Sequence, residues 1–194
     1  MIGNDIVDLE KARLESNWRR PGYLDKICAA PEQELILEAC NPSLMLWLLW
    51  TMKEAAYKAE NSISKERVYV PAQLLCKQII ISDKNEGGAL QAWGEVHYNN
   101  YTFLTRSLIN NEMIHTICCL NEQDFSALKT NHLNAFIPYI KQFNELNPDF
   151  RLKKNEAGKP AVIHQLTGRS YACSISHHGN YLTVIYSDSL LSAD

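Results

Sequence analysis

The spacing of apolar residues changes several times along the chain, and each change marks a different kind of element. Residues 2 to 9, IGNDIVDL, are short and mostly apolar, which predicts a buried strand with two aspartates set into it. PEQELILEAC, residues 31 to 40, opens on proline and glutamate and then spaces its apolar residues as a helix does. Asn41-Pro42-Ser43 breaks that helix and starts a longer one, expected from 43 to 60. Between 66 and 120 the pattern becomes β-rich: RVYVPAQL, KQIIIS, LQAWGEVHY, YTFLTRSL and MIHTICCL, joined by turns such as DKNEGG. These segments read as an antiparallel meander. Helical periodicity returns over 122 to 146, where Phe125, Leu128, Leu133, Phe136, Ile137, Ile140, Phe143 and Leu146 are the buried candidates. The chain then runs as strands through FRLKK, AVIH, YACSIS and YLTVIYS, with turns at NEAGKP and HHGN. The predicted class is α+β.

Composition narrows the function. At 194 residues, 46 % hydrophobic and 21 % charged, the chain reads as soluble and globular, with one core or two small modules sharing one. Its longest apolar run, LMLWLLW at 44 to 50, is far shorter than the ~20 residues a membrane-spanning helix needs. A net charge of -3 argues against a nucleic-acid protein, whose footprint is usually strongly basic. No basic stretch precedes an apolar one at the N-terminus, and the six cysteines form no CxxC pair, so reduced thiols and a cytoplasmic location are expected. The histidines are scattered apart from His177 and His178, which does not fit a structural zinc site.

The residues able to carry chemistry fall in three places. Asp5 sits in a strand too apolar to be a solvated segment, so its carboxylate has to be paired, capped or metal-bound. In the long helix Trp47, Thr51, Glu54 and Lys58 share one stripe that turns from apolar to charged, placing Glu54 and Lys58 at the mouth of a core. Alone, Glu54 and Lys58 are equally an ordinary i,i+4 surface pair. A carboxylate from a strand together with one from a helix suits Mg²⁺, which takes one or two protein carboxylates and completes its shell with water and phosphate oxygens. The third place is near the C-terminus, where Gly158-Lys159-Pro160 forms a turn and Ser174-Ile175-Ser176-His177-His178-Gly179 ends a strand. The turn alone is weak evidence, because Gly-Lys-Pro suits many hairpins.

Taken in order, these pieces resemble the phosphopantetheinyl transferase superfamily. GNDIVDL resembles the opening GxDIVEI segment of holo-acyl-carrier-protein synthases, and WTMKEAAYKA at 50 to 59 resembles the WxxKEAxxKA helix. PGYLDKICAAPEQE at 21 to 34 resembles the segment between them, and RLKKNEAGKPAV with SISHHGNYLTVIY resembles the GKP turn and the serine-histidine strand. The resemblance implies transfer of the 4'-phosphopantetheine arm of coenzyme A to a serine of an acyl carrier protein, with release of adenosine 3',5'-bisphosphate. It further implies an Mg²⁺ held by Asp5 and Glu54, with Lys58 and His177 on the coenzyme A diphosphate. Glu54, Lys58 and His177 are the implied catalytic residues, while Lys53, Lys159, Pro160 and Ser176 would line the nucleotide. Val7 stands where surfactin-synthetase-type members carry a second acid, and Asp8 where synthases carry glutamate. A carrier-binding homologue without activity, and another magnesium-dependent nucleotide enzyme, are the alternatives.

The resemblance also bears on partner and architecture. Lys11, Arg13, Arg19, Arg20 and Lys26 form a basic stretch that would steer an acidic carrier protein of fatty acid biosynthesis. The distance from Glu54 to Gly158 exceeds what a single-module synthase needs, which predicts two related modules: 1 to 120 binding metal and 121 to 194 binding nucleotide. NEMIHTI at 111 to 117 and GNYLTVI at 179 to 185 echo each other at the module ends. A monomer with one complete site is favoured, and a trimer sharing its site is the alternative.

Overall fold

The computed structural model describes residues 1–62, 64, 68–83, 87–155 and 158–191. Ten strands form two five-stranded antiparallel sheets. In the first, β1 (Ile2–Asp8) lies at one edge beside β5 (Met113–Cys119), followed by β4 (Tyr101–Ile109), β3 (Leu90–Tyr98) and β2 (Leu75–Ile81). The second repeats that order. β6 (Leu128–Asn134) lies beside β10 (Tyr181–Leu191), followed by β9 (Ser170–His178), β8 (Pro160–His164) and β7 (Phe150–Lys154). In each sheet the first strand in sequence pairs with the last, and the helices are inserted between the first strand and the second. Four helices fill that insertion in the first sheet: α1 (Leu9–Glu15), α2 (Tyr23–Ile27), α3 (Ala30–Glu38) and α4 (Pro42–Asn61). The second sheet has one, α5 (Tyr139–Leu146).

Helix α4 organises the first half. The Asn41 side chain caps it by accepting from the Leu44 amide, and Pro42 supplies the φ of a first turn. Leu46, Leu48, Leu49, Met52, Ala55, Ala56 and Ala59 are fully buried along it. The alanines let β1 approach closely. A Cβ placed on Gly3 would stand 2.0 Å from the Ala55 carbonyl oxygen, so only glycine fits that contact. A second core gathers Leu133, Phe143, Leu152, Val162, Val184 and Tyr186 under α5. Ile2, Cys119, Phe125 and Ile185 form a small apolar contact between the two sheets.

Sequence and structure part company in two places. The helix expected over 122 to 146 is instead a 3-10 turn (Glu122–Ala127), strand β6 and then α5. Pro138 explains much of this, because a proline inside a helix costs roughly 3 kcal/mol; here it caps α5 instead. Lys129-Thr130-Asn131-His132 also offers no apolar residue for a buried helical stripe, whereas the segment can pair along β10. The strand expected at RVYVPAQL is the second difference. Residues 66 and 67 lie outside the described residues, Val68, Tyr69 and Val70 are irregular, and Pro71–Gln73 is a 3-10 turn. Pro71 has no N–H to give a ladder.

Candidate active site

Asp5 on β1 and Lys58 on α4 meet at 2.7 Å between Oδ1 and Nζ. Both are largely withdrawn from water, with 12 % of the Asp5 side chain and 29 % of the Lys58 side chain exposed. Burial holds the Asp5 carboxyl above its ordinary range, although Lys58 and the Ile6 amide pull the other way. Glu54, one turn before Lys58, is likewise pushed up, first by burial and then by the negative charge of Asp5. Two carboxylates from separate elements thus share one poorly hydrated corner with one ammonium. The Tyr69 hydroxyl is buried against this corner beside Glu54, and burial together with that carboxylate pushes the phenol well above its usual range. Such a set suits a small hard cation. Two carboxylate oxygens leave the remaining positions to water and substrate, as Mg²⁺ prefers. Among the described residues no group of three or more His, Cys, Asp and Glu gathers in the way a site built wholly from protein ligands would require.

Beside that corner a cleft of about 650 Å³ opens between the two halves of the chain. One wall is the end of α4, with Lys58 and Asn61. The other is the β7–β8 turn of the second sheet, with Lys153, Lys154, Lys159 and Pro160. Four lysines and no acid among the described lining residues make it a place for an anion. The Asn61 side-chain oxygen is buried there with no hydrogen-bond partner among the described residues. Gly158, at φ +77°, makes the turn that presents Lys159. The Lys159 ammonium reaches back to the Ser62 and Ser64 carbonyls at 3.0 and 3.3 Å, tying the turn to the end of α4.

A second concavity, of about 440 Å³, lies between α1 and the start of α4. Leu9, Leu14, Leu44 and Trp47 give it an apolar floor, and Arg13 and Arg19 stand at its rim. Leu14 is 69 % exposed, an unusual place for a leucine in a folded chain. Arg19 stacks 4.1 Å over the Trp18 ring, while Arg13 is paired with Glu10.

The family model of the 4'-phosphopantetheinyl transferase superfamily matches residues 1–118, the span of the first sheet and its four helices. The chain belongs to the 4'-phosphopantetheinyl transferase superfamily. Its chemistry is therefore transfer of phosphopantetheine, on an α+β scaffold of two antiparallel sheets with helices against them. No curated protein and no solved structure matches the chain.

Within this transferase the residues singled out from sequence do not all converge. Asp5, Glu54 and Lys58 share one corner, and Lys58, Lys159 and Pro160 line the cleft. Lys53 does not. Its side chain, 1 % exposed, points into the first core and is held by Glu32 at 2.6 Å, the Ile27 carbonyl at 2.8 Å and the Pro71 carbonyl at 3.0 Å. Adjacent helix positions face different ways, so Lys53 cannot share the Glu54 face. His177 is exposed, on the face of β9 opposite the first sheet, and Ser176 is buried with its hydroxyl accepting from the Asn4 side chain at 2.7 Å. The same alternation turns Ser174, Ser176 and His178 together toward β1. His178, not His177, is the histidine near Asp5. The sequence held this signal in the period of two along SISHH. Glu32 left no comparable trace, because its partners at Lys53 and Cys76 are brought to it only by the fold.

Proposed function

We propose that this chain transfers the 4'-phosphopantetheine arm of coenzyme A to a serine of an acidic acyl carrier protein, with Mg²⁺ bound by Asp5 and Glu54. What carries the reading is the junction of a buried carboxylate, Asp5, and a half-buried one, Glu54, with a lysine-lined cleft, at a boundary between two halves of one chain. The first half, residues 1 to 120, is the metal-binding module on this reading, and 121 to 194 is the nucleotide module. Lys153, Lys154 and Lys159 supply positive charge for the phosphates of the nucleotide end. With a cation at the carboxylates, Lys58, which here pairs with Asp5, would be free to bind the diphosphate. Asp5 and Glu54 are the residues that would hold the ion, which when bound would offset the charge of the diphosphate. The carrier serine oxygen forms the new bond to phosphorus, the bond to adenosine 3',5'-bisphosphate breaks, and Glu54 is the chain's own acceptor for the serine proton. The carrier docks in the groove beside α1, its acidic surface against Arg13, Arg19 and Arg20.

The test is direct. Protein, coenzyme A, Mg²⁺ and an apo carrier protein are incubated, and the carrier's intact mass is read. A gain equal to the phosphopantetheine arm, abolished by a chelator and restored by Mg²⁺, supports the reading; carrier bound without a mass change identifies a binding protein instead. Light scattering on the active protein should give a monomer, because Asp5, Glu54 and the cleft lysines come from one chain.

A further inference from the structure

We infer that Asp8 is a positioning residue of this transferase, clasping the start of α1 to the β9–β10 turn and so holding the carrier groove in register with the cleft. The inference rests on the proposed reaction. Asp8 is 4 % exposed, and no cation lies at bonding distance from it among the described residues. Its Oδ1 accepts from the Lys11 amide at 3.0 Å, capping α1, and its Oδ2 accepts from the Asn180 amide at 3.1 Å, in the turn between β9 and β10. Its own amide donates to His178 Nδ1 at 2.9 Å. A ring nitrogen that accepts from an amide carries no proton, so the His178 proton sits on Nε2. One residue therefore joins three things: the strand of Asp5, the helix whose Leu9, Arg13 and Leu14 wall the groove, and the hairpin whose Ser174 lines the cleft.

The surroundings are shaped for this contact. Gly179 has φ +58°, and a Cβ there would stand 2.2 Å from Asp8 Oδ2, so a side chain cannot be accommodated. A second tie runs alongside, with the Leu9 amide donating to the Glu112 carbonyl at 2.8 Å and the Tyr181 hydroxyl donating to the Glu112 carboxylate at 2.9 Å. The turns that begin the two echoing segments, NEMIHTI and GNYLTVI, thus both close on the Asp8–Leu9 junction. Serine oxygen and phosphorus arrive from opposite sides of that junction, and a misplacement of about 1 Å between reactants costs on the order of a hundredfold in rate.

Asp8→Asn separates the two roles of the carboxylate. Asparagine still caps α1 with its single oxygen, but it has no second oxygen for the Asn180 amide. The expected result is a kcat lower by about tenfold or more and a raised carrier KM. Coenzyme A affinity and Mn²⁺ affinity, read by calorimetry and paramagnetic resonance, should stay within about twofold. Gly179→Ala strikes the clasp from the other side, and the double variant should be little worse than Gly179→Ala alone, as two changes to one contact behave. Wild-type kinetics in Asp8→Asn would overturn the inference. So would a collapse of Mn²⁺ affinity, which would make Asp8 a metal ligand, or a defect that vanishes on cooling, which would make it purely a stability effect. Should the wild type transfer nothing, the reaction reading fails on its own. Amide exchange then decides the clasp: protection lost at Asn180 but kept at Lys11 in Asp8→Asn supports it, and unchanged protection at both refutes it.

Discussion

The two halves of the chain have the same strand order and carry different loads. In the first, the helical insertion between strands one and two has grown to four helices, and its longest, the 20-residue α4, turns a charged pair inward. In the second the insertion is the eight-residue α5, whose Lys141–Glu145 pair has the same i,i+4 spacing but is 74 % and 65 % exposed. Spacing alone therefore separates nothing. Glu54 and Lys58 differ from Lys141 and Glu145 in what lies opposite: β1 with Asp5 in one case, solvent in the other. A repeat can thus keep its scaffold in both copies while one supplies acids and the other a lysine-rich wall.

Mutation should expose that asymmetry. On the proposed reading Asp5→Ala and Glu54→Ala are each expected to cut carrier modification by more than about a thousandfold, since each would remove one of the two carboxylates proposed to hold Mg²⁺. Circular dichroism should be unchanged. Glu145→Ala, the α5 control, should alter neither activity nor stability by more than about 0.5 kcal/mol. Equal losses at Glu145 and Glu54 would erase the distinction between the halves.

Next in size is the ion pair found only beneath α4. Glu32→Ala strands the Lys53 ammonium in a fully buried site, and breaking such a pair from one side costs about 3–5 kcal/mol. Urea unfolding measures this. Replacing both residues with methionine should recover most of the loss, because the uncompensated charge is then gone.

A smaller effect concerns pH. A carboxyl whose folded pKa is raised makes the folded state bind more protons in the window above its unfolded value, so stability falls as pH rises through that window. The window begins near 3.8 for Asp5 and 4.5 for Glu54. Asp8 has the opposite sign: its carboxyl is held below 3.8, and its stabilisation is lost as acid protonates it. In metal-free protein near neutral pH, Glu54→Gln should therefore melt higher than wild type, at about 2–4 °C for each kcal/mol gained. Saturating Mg²⁺ should remove the advantage. An unchanged melting temperature would mean Glu54 is not strained in the empty site.

Smallest is the carrier surface. Reversing Arg19 and Arg20 to glutamate should raise the carrier KM by roughly two- to tenfold, most at low salt, as exposed charges do. Coenzyme A affinity should not move, because that pair lies outside the cleft.

Elements with one dominant period were legible before the structure. The buried strand at the start, α3 and α4 follow from apolar spacing and from the Asn41-Pro42 start. So does the corner of Asp5, Glu54 and Lys58, because an acid in an apolar strand and a stripe that turns charged both need a partner. The legible pattern ended where chain-distant pairing decides. β6 is polar enough to read as anything until β10 fixes it. Lys53 is a nucleotide contact only by resemblance to the KEA helix, and Glu32, brought in from α3, reveals its inward direction. His177 and His178 differ by one position along a strand, which is the difference between two faces.

The pairing of first strand with last also sets a timetable for the growing chain. Ile2 finds its ladder partner at Cys119, so the strand bearing Asp5 leaves the ribosome long before the strand that completes it. Closing a loop of that length costs about 4 kcal/mol by the logarithmic rule. In the second half Tyr181 pairs back to Asn134, a far shorter wait. Until β5 emerges, α4 is the only large apolar surface able to shelter β1, through the contact at Gly3 and Ala55. The strand bearing Asp5 is thus made before every other strand of the first sheet and is the last to be locked into it. Slowing translation before β5 emerges should prolong a protease-sensitive nascent state, whereas a pause late in the second half, once β5 has cleared the ribosome, should find the first sheet already closed.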